Sequence, residues 1–358
     1  MFAIYATFMT RNSIIRIAAA AAGALLIGAG CTARLDPAEE TGGGAIGFSA
    51  GSTLLRDDAT KAPLSEPAHL GVFCYRQAGT VGSPGAWSTS RTPDYMFNQD
   101  VYFDGSSYTY SPVRFWPSPE TTLSFWAYSP RLETPELLVQ NSSTAFTSAS
   151  SGIPDIRYTT DGHTDFMVSD LVKDQTYSTN SGVVELPFGH AMSKVDVNVN
   201  KQDPTSKYTV TLKAVSFNGI YHTGTIRWDT SLETWDWALW SGLRQNLSVW
   251  EDDPDDDSDD IVLASANQAL PAVMPLPQSL TDASARLHVE FSVSYEGILH
   301  ERSTTREVLL SRVFEEAGAA WNRNSHYTLN ITISPDDPIE FTVIWSDWGD
   351  VYNFHITD

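Results

Sequence analysis

Residues 339–345 read IEFTVIW, and this short stretch shows how much of the chain is built. The odd-numbered positions from Ile339 to Trp345 are all apolar, whereas Glu340 and Thr342 lie between them. Successive side chains of a β-strand point to opposite faces, so alternation with a period of two predicts a strand with one buried face. We therefore interpret this stretch as a half-buried β-strand.

The same alternation recurs along the chain in short runs that are separated by Gly, Pro, Ser or Asp. The clearest runs are Ala45–Ala50, His69–Arg76, Thr122–Tyr128, Lys194–Asn200, Tyr208–Phe217, Leu287–Tyr295 and Tyr327–Ile333. Short strands at short spacing favour antiparallel β-sandwiches. No long amphipathic helix is evident, and Arg306–Ala320 is the best candidate for one helical segment or turn.

A polar stretch at Thr176–Gly182, rich in Ser, Thr and Asn, predicts a boundary between domains. The chain has 358 residues, enough for about two domains of roughly 150 residues. We therefore expect an all-β protein with two antiparallel β-sandwich domains, an N-terminal one at 45–180 and a C-terminal one at 181–358.

Charge and composition exclude several classes of protein. The chain carries 22 basic and 44 acidic side chains, for a formal net charge of −22. A nucleic-acid-binding surface needs clustered Lys and Arg, so we expect no nucleic-acid partner. The 11 Trp, 14 Tyr and 16 Phe residues argue against wholesale disorder. Two cysteines are too few for a disulfide framework.

The N-terminal segment is typical of a leader sequence. The apolar run Ile17–Ile27 is too short to span about 30 Å of hydrocarbon as a helix, but it suits a signal peptide. It ends in Gly28-Ala29-Gly30-Cys31, which resembles a bacterial lipobox, although Gly28 stands where Leu is usual. We predict a cleaved signal peptide at 1–30, lipidation of Cys31 and a flexible linker at 31–44. The alternative is an ordinary signal with an incidental cysteine.

The motifs that carry chemistry are few. Gly47–Gly51 matches G-x-S-x-G, but no helical pattern follows it, so we interpret it as a strand rather than a nucleophile elbow. Glu251–Asp260 could bind calcium, yet it lacks EF-hand spacing and is more typical of a solvated loop. The eight histidines show no zinc-binding spacing. We predict no catalytic residue, no metal site and no cofactor.

Two groups of aromatic residues stand out. One spans Tyr95–Tyr128, and the other contains four tryptophans between Trp228 and Trp240. In a sandwich such residues more often fill the core, and this is the interpretation we favour for both groups. Exposed aromatic faces also stack on sugars, and Trp235 and Trp237 are the candidates for such a role.

A series of segments carries a family resemblance. They are YMFNQDVYF at 95–103, YSPVRFWP at 110–117, LSFWAYSP at 123–130, DFMV at 165–168, VELPFGHAMSKV at 184–195, VMPLPQ at 273–278 and WNRNSHY at 321–327. Together with the lipobox, this series resembles the fimbrillin-like (Mfa-like) lipoproteins of Bacteroidales, which are subunits of type V pili.

The resemblance implies a fold and a route of assembly. Such proteins are exported as lipoproteins to the outer membrane surface and have two β-sandwich domains of transthyretin-like topology. An Arg-directed protease removes an N-terminal strand from shaft subunits. The exposed groove then receives a strand from a neighbouring subunit.

Residues of this chain can be matched to those roles. The removable strand would be Ala45–Ala50 with Ile46 and Phe48, and Arg56 is the next arginine after it. The alternative for Arg56 is an uncleaved surface residue. A donor strand could come from the alternating residues Tyr352, Phe354 and Ile356, unless they form a final strand paired within their own domain.

The function we expect is that of a structural and adhesive fimbrial subunit without catalysis, lipid-anchored at the outer membrane surface. Its partners would be other pilus subunits, joined head to tail, and a host or bacterial surface ligand. The alternative is an outer-membrane-tethered glycan-binding lipoprotein, motivated by Trp235 and Trp237. A glycan-processing enzyme is a third reading that no specific motif supports. The sequence does not distinguish shaft, tip and anchor subunits.

Overall fold

The computed structural model describes residues 43–52, 67–134, 137–141, 143–202, 207–253, 255, 261–295, 298–334 and 339–348. The regular secondary structure of these residues is almost entirely β-strand, with two single-turn helices, which confirms the all-β fold class. In these ranges no helix is long and apolar enough to cross a membrane. The same ranges contain no group of His, Cys, Asp and Glu side chains that could hold a metal ion.

The elements of the first half are β1 Gly47–Ser52, β2 His69–Gln77, β3 Met96–Phe103, β4 Tyr108–Tyr110, β5 Thr122–Ser129, β6 Leu138–Gln140, β7 Thr144–Ala145, β8 Asp155–Thr159, β9 Met167–Ser169, β10 Val172–Gln175, α1 Tyr177–Asn180 and β11 Val183–His190.

The elements of the second half are β12 Lys194–Lys201, β13 Tyr208–Ile220, β14 Thr223–Asp229, β15 Thr234–Ser241, β16 Gln245–Glu251, β17 Ile261–Val262, β18 Gln268–Ala269, β19 Gln278–Ser279, β20 Arg286–Tyr295, β21 Ile298–Leu309, α2 Leu310–Val313, β22 Ala320–Trp321, β23 Ser325–Ile333 and β24 Glu340–Asp347.

Every run of alternating apolar residues that predicted a strand coincides with one, with ends that differ by three residues or fewer. The predicted helical segment is shorter than its range. Residues 306–309 continue β21, and only Leu310–Val313 form a helical turn. Local alternation was therefore a sound guide to where strands lie.

The largest sheet has the order β1-β11-β9-β5-β2-β3-β4, with β10 beside β5. All residues of its central strand β5 are buried, because both faces of the sheet are covered. Leu123 and Phe125 point into one hydrophobic cluster, the groove core, which also contains Ile46, Phe48 and Trp116. The sheet curves toward the groove core, so that its first strand, β1, lies near the chain that follows β4.

The opposite face of that sheet packs against a second sheet of order β15-β14-β8-β6-β7. The cluster between them, the intersheet core, contains Phe73 and Trp126 from the first sheet and Trp228, Trp235 and Trp237 from the second. The first part of the molecule therefore has two cores, one on each side of the largest sheet.

A third cluster, the C-terminal core, lies between a sheet of order β18-β12-β23-β24 and a sheet of order β16-β13-β20-β21, in which β17 also pairs with β13. Val197 of β12 and Leu329 of β23 face Leu212 of β13 and Phe291 of β20 across this core. This arrangement is a sandwich of two packed sheets.

The expected domain boundary at 180/181 is corrected by the strand pairing. β11 begins at Val183 but lies between β1 and β9 in the largest sheet. β14 and β15 also come after the boundary, and they cover the intersheet core. The chain crosses from the intersheet core at Met192 to the C-terminal core at Val195. The polar stretch 176–182 instead contains α1 and a turn, because polarity marks solvent exposure and not the end of a domain.

Two pairs of strands depart from the antiparallel arrangement of the sheets. β1 pairs with β11 in parallel, and β12 pairs with β23 in parallel. The other pairs of strands are antiparallel, as expected. The transthyretin-like topology that the resemblance implies stays a prediction.

Candidate functional site

The candidate site is β1 together with the groove that holds it. One edge of β1 pairs in parallel with β11, in a register that sets Gly47 opposite Val183 and Ser52 opposite Phe188. The Gly47 amide donates to the Gly182 carbonyl at 2.8 Å. The backbone N–H and C=O groups along this edge of β11 are therefore paired with a strand that is distant in sequence.

The chain just after β4 lies along the other side of the N-terminal segment. The Ile46 amide donates to the Arg114 carbonyl at 2.9 Å, and the Trp116 amide donates to the Gly44 carbonyl at 3.1 Å. The Tyr110 hydroxyl donates to the Ile46 carbonyl at 2.9 Å. Burial raises the pKa of Tyr110 to about 12, so this hydroxyl keeps its proton at neutral pH. The segment is thus held between two neighbours like an inserted strand.

Two apolar side chains anchor the strand. Ile46 and Phe48 are 2% and 6% exposed, and both belong to the groove core. The Phe48 ring lies 5.5 Å from the Tyr110 ring and 6.0 Å from the Phe125 ring, measured between centroids. Val184, Leu186 and Phe188 of β11 form the other wall of the groove. The predicted inward face of this strand is therefore where the structure places it.

The outward face of β1 carries small residues. Gly47, Ser49 and Gly51 lie opposite Val183, Glu185 and Pro187 in the register. A Cβ atom at Gly51 would lie 2.3 Å from the Glu185 carboxylate, so that side chain approaches the strand closely. The G-x-S-x-G pattern thus falls on a strand, as the sequence indicated, and its glycines and serine occupy the face away from the groove core.

The closed end of the groove depends on Trp116. This side chain is fully buried, and its indole Nε1–H donates to the Gly182 carbonyl at 3.2 Å. Gly43 packs against the Tyr177 ring and Trp116, where an added Cβ would lie 2.8 Å from the tyrosine. Sequence analysis assigned Trp116 to an aromatic cluster of the core but did not connect it to the N-terminal strand.

Several predicted residues lie outside the described part of the chain. They are Cys31, Arg56, Tyr352, Phe354 and Ile356, together with most of the acidic run 251–260. Cys74, the other cysteine, is fully buried in the groove core. Burial raises the pKa of its thiol, which makes it unreactive.

The assignment of Trp235 and Trp237 to ligand stacking is corrected. They are 1% and 4% exposed and lie in the intersheet core, where Trp235 packs 5.1 Å from Trp126. Their indole N–H groups donate to the carbonyls of Ser169 and Ala191. Faces that are covered by the largest sheet cannot stack on a sugar, so the interpretation as core residues holds.

A cluster at the far end of β11 joins distant parts of the chain. The Trp348 ring stacks on the His190 ring at 3.7 Å with an interplanar angle of 3°. His190 Nδ1 lies 2.7 Å from Asp165 Oδ2, and both side chains are largely buried. The strand that accepts β1 is therefore also in contact with the residue that follows β24.

Comparisons with known proteins agree with this architecture. The sequence matches the family described as fimbrillin-like over residues 59–348. It is 27% identical over 172 residues to the fimbrium subunit Fim1C of Phocaeicola vulgatus, a match that covers 44% of this chain and 44% of that protein. The chain therefore aligns with less than half the length of this curated relative.

Two solved structures are similar in fold. A fimbrial protein from Bacteroides vulgatus ATCC 8482 has a TM-score of 0.61 at 17% identity, over 85% of this chain and 99% of that chain. A Bacteroides uniformis ATCC 8492 protein described in terms of cell adhesion has a TM-score of 0.52 at 16% identity, over 86% and 99% of the two chains.

Proposed function

The chain belongs to the fimbrillin-like family, and from this premise we propose that it is a structural and adhesive subunit of a type V pilus that assembles by strand exchange. The observation that supports this proposal is β1, a short strand inserted at a sheet edge with its apolar residues in a groove. Such a strand occupies the groove in a geometry that a strand from another subunit could adopt in its place.

A groove that is filled by a strand is lower in free energy than an empty groove. Removal of β1 would leave the backbone groups of residues 183–188 without their strand partner and would expose the groove core to water. Burial of Ile46 and Phe48 contributes about 1.5–3 kcal/mol for each side chain. A donated strand with alternating apolar residues restores the ladder and refills the groove. Head-to-tail donation does not close on itself, so it produces a filament.

Arg56 is the cleavage site that we propose for exposing the groove. It follows the last residue of β1, Ser52, by four positions. Cleavage after Arg56 separates β1, and with it the lipid that we propose on Cys31, from the rest of the subunit. Release from the membrane and opening of the groove would then be one event.

The partners and location follow from the same proposal. Other pilus subunits would fill the groove, and the precursor would be held at the outer membrane surface by its lipid. Tyr352, Phe354 and Ile356 are the residues that we propose as a donor strand. A tethered glycan-binding role is less well supported, because Trp235 and Trp237 are buried. No catalytic role is assigned.

The test is treatment of the full-length, surface-expressed protein with an Arg-specific protease. We expect a new N-terminus at Asp57 and a ladder of oligomers. An Arg56→Ala variant should lose both, whereas an Arg34→Ala control, altered before β1, should keep both. If cleavage after Arg56 releases β1 and the protein remains a monomer with an empty groove, the proposed shaft role is rejected.

A further inference from the structure

The turn formed by residues 176–182, which contains α1, lies against the end at which the chain enters the groove. The Gly182 carbonyl accepts hydrogen bonds from the Gly47 amide at 2.8 Å and from the Trp116 indole N–H at 3.2 Å. The Gly182 amide donates to the Tyr177 carbonyl at 3.3 Å, and the φ of Gly182, 91°, lies in the left-handed region that favours glycine. One backbone carbonyl thus joins this turn to the inserted strand and to the wall of the groove.

The Tyr177 ring covers the chain at Gly43. A Cβ atom at Gly43 would lie 2.8 Å from Tyr177 Cδ2 and 3.1 Å from Trp116 Cβ, and a real Cβ atom is essentially never found closer than 3.0 Å to another atom. Trp116 is fully buried, so it has no free space into which it could retreat. The Tyr177 ring is 44% exposed and could move only by giving up this contact. The space between the two aromatic side chains therefore fits glycine and no larger residue.

The other glycines of the inserted segment are less restricted. At Gly47 an added Cβ would lie 3.2 Å from Val183 Cγ2, which a shift of a few tenths of an ångström would relieve. At Gly44 the nearest atom is an aromatic carbon at 3.6 Å, an ordinary contact. At Gly51 the closest atom is a carboxylate oxygen of Glu185, at the free end of a flexible side chain. Position 43 is thus the one at which the groove excludes a side chain.

A side chain at position 43 would force one of two losses on any strand that enters the groove. It could push the Tyr177 ring into solvent and remove the cover of the strand. Alternatively, it could hold the chain away from Trp116, which would lengthen the 3.1 Å hydrogen bond from the Trp116 amide to the Gly44 carbonyl. A strand with glycine at this position avoids both losses.

The inward positions have the opposite requirement, since Ile46 and Phe48 fill the groove core. We propose that the groove selects the strand it accepts by residue size, with glycine at position 43 and large apolar residues at positions 46 and 48, and that Tyr177 is the residue that enforces the glycine. The partner that fits is an extended segment with glycine three residues before the first of two alternating apolar side chains. This inference rests on the proposed function, because it states which strand can take the place of β1.

Alanine substitution in the full-length chain tests the restriction. Gly43→Ala adds a methyl group against Tyr177, whereas Gly44→Ala, the matched control, adds the same group in ordinary contact one residue later. Gly43→Ala should make hydrogen exchange in residues 43–48 roughly tenfold faster, because an extra methyl group in a filled site is destabilising. Gly44→Ala should leave exchange unchanged or slower, because alanine restricts the released segment. Equal exchange in the two variants would overturn the proposal.

A double-mutant cycle identifies the side chain that imposes the restriction. Tyr177→Ala by itself should accelerate exchange in the same residues, because the ring no longer covers them. In this background Gly43→Ala should add little, since the ring that its methyl group would meet is absent. If Gly43→Ala has the same effect with and without the ring, Tyr177 is not the selecting residue and the proposal is overturned.

Peptide binding separates this inference from the proposed function. The full-length protein is cleaved with an Arg-specific protease, freed of β1 and mixed with a peptide of residues 43–52, GGAIGFSAGS. We expect a peptide with alanine in place of Gly43 to bind roughly tenfold more weakly than the unchanged peptide or one with alanine in place of Gly44. Equal binding of all three would reject selection by size and leave strand exchange intact. If none of them binds, strand exchange itself is rejected, and selection by size with it.

Discussion

At the scale of single residues, the attachment of β1 is concentrated in Ile46 and Phe48. Both are buried in the groove core, whereas Gly47, Ser49 and Gly51 on the other face contribute little apolar surface. Glycine within a strand also weakens it, because more conformational freedom is lost on folding. The inward-facing side chains thus hold β1 in place. Its glycines give it a low intrinsic propensity for the extended conformation.

Phe48→Ala is expected to loosen β1 without unfolding the remaining sheets. Loss of a buried Phe costs about 3–5 kcal/mol, and at a sheet edge we expect most of this cost to appear as local opening. Hydrogen exchange measured by mass spectrometry should therefore become at least roughly 100-fold faster in residues 43–52. Ser49→Ala, one residue away on the outer face, is the control and should change little. Equal effects of the two substitutions would contradict the groove assignment.

The aromatic residues show why sequence alone could not assign a role to each side chain. Trp116 and Trp235 are both buried, yet one closes the groove of β1 and the other ties two sheets together. Their residue type favoured burial but did not show which part of the chain would cover each ring. The role of each ring depends on the residues that pack against it, and in both cases these residues are distant in sequence.

At the scale of elements, β11 is the strand on which the proposed exchange depends. One edge pairs with β9, and the other pairs in parallel with β1. Inward-facing Val184, Leu186 and Phe188 form a wall of the groove core. β9 pairs with residues 188–190 of β11 and β1 with residues 183–188, so the C-terminal end of β11 has a strand partner that does not depend on β1.

Exposure and refilling of β11 can be measured directly. After Arg-specific cleavage and removal of β1, hydrogen exchange in residues 183–188 should increase. A peptide with the sequence of residues 351–356 should restore protection, because its alternating side chains fill the groove. The same peptide with Phe354→Asp is the control, since a carboxylate would be buried in an apolar site. Equal protection by both peptides would contradict recognition by alternate side chains.

At the scale of the whole molecule, the three cores are connected through a few short segments. The chain passes from the intersheet core to the C-terminal core between Met192 and Val195. Trp348, which directly follows β24, reaches back to stack on His190 of β11. Trp348, at the end of the described chain, is thus in direct contact with β11, the strand that pairs with β1.

A double-mutant cycle of His190→Ala and Trp348→Ala measures this connection. We expect a coupling free energy of about 0.5–1.5 kcal/mol in urea unfolding, the range for stacked ring pairs. The cycle separates stacking from the contact of His190 with Asp165, which is lost in both backgrounds that carry His190→Ala. Strict additivity would show that the stack makes no contribution to stability.

The amino-acid sequence by itself determined where strands lie and which of their faces are apolar. Lys194–Asn200 and Ile339–Trp345 could be assigned because burial of one face leaves a period of two, which is a local property. The family segments between residues 95 and 327 likewise predicted the family that the comparisons show.

Only the tertiary structure decided which strands meet. The parallel pairing of β1 with β11 joins residues more than 130 positions apart, and β14 and β15 return to the first part of the molecule across the predicted boundary. Alternation records that a face is buried but not what covers it. Partner, direction and covering layer are set by long-range contacts, so the groove around Ile46 and Phe48 became visible only in three dimensions.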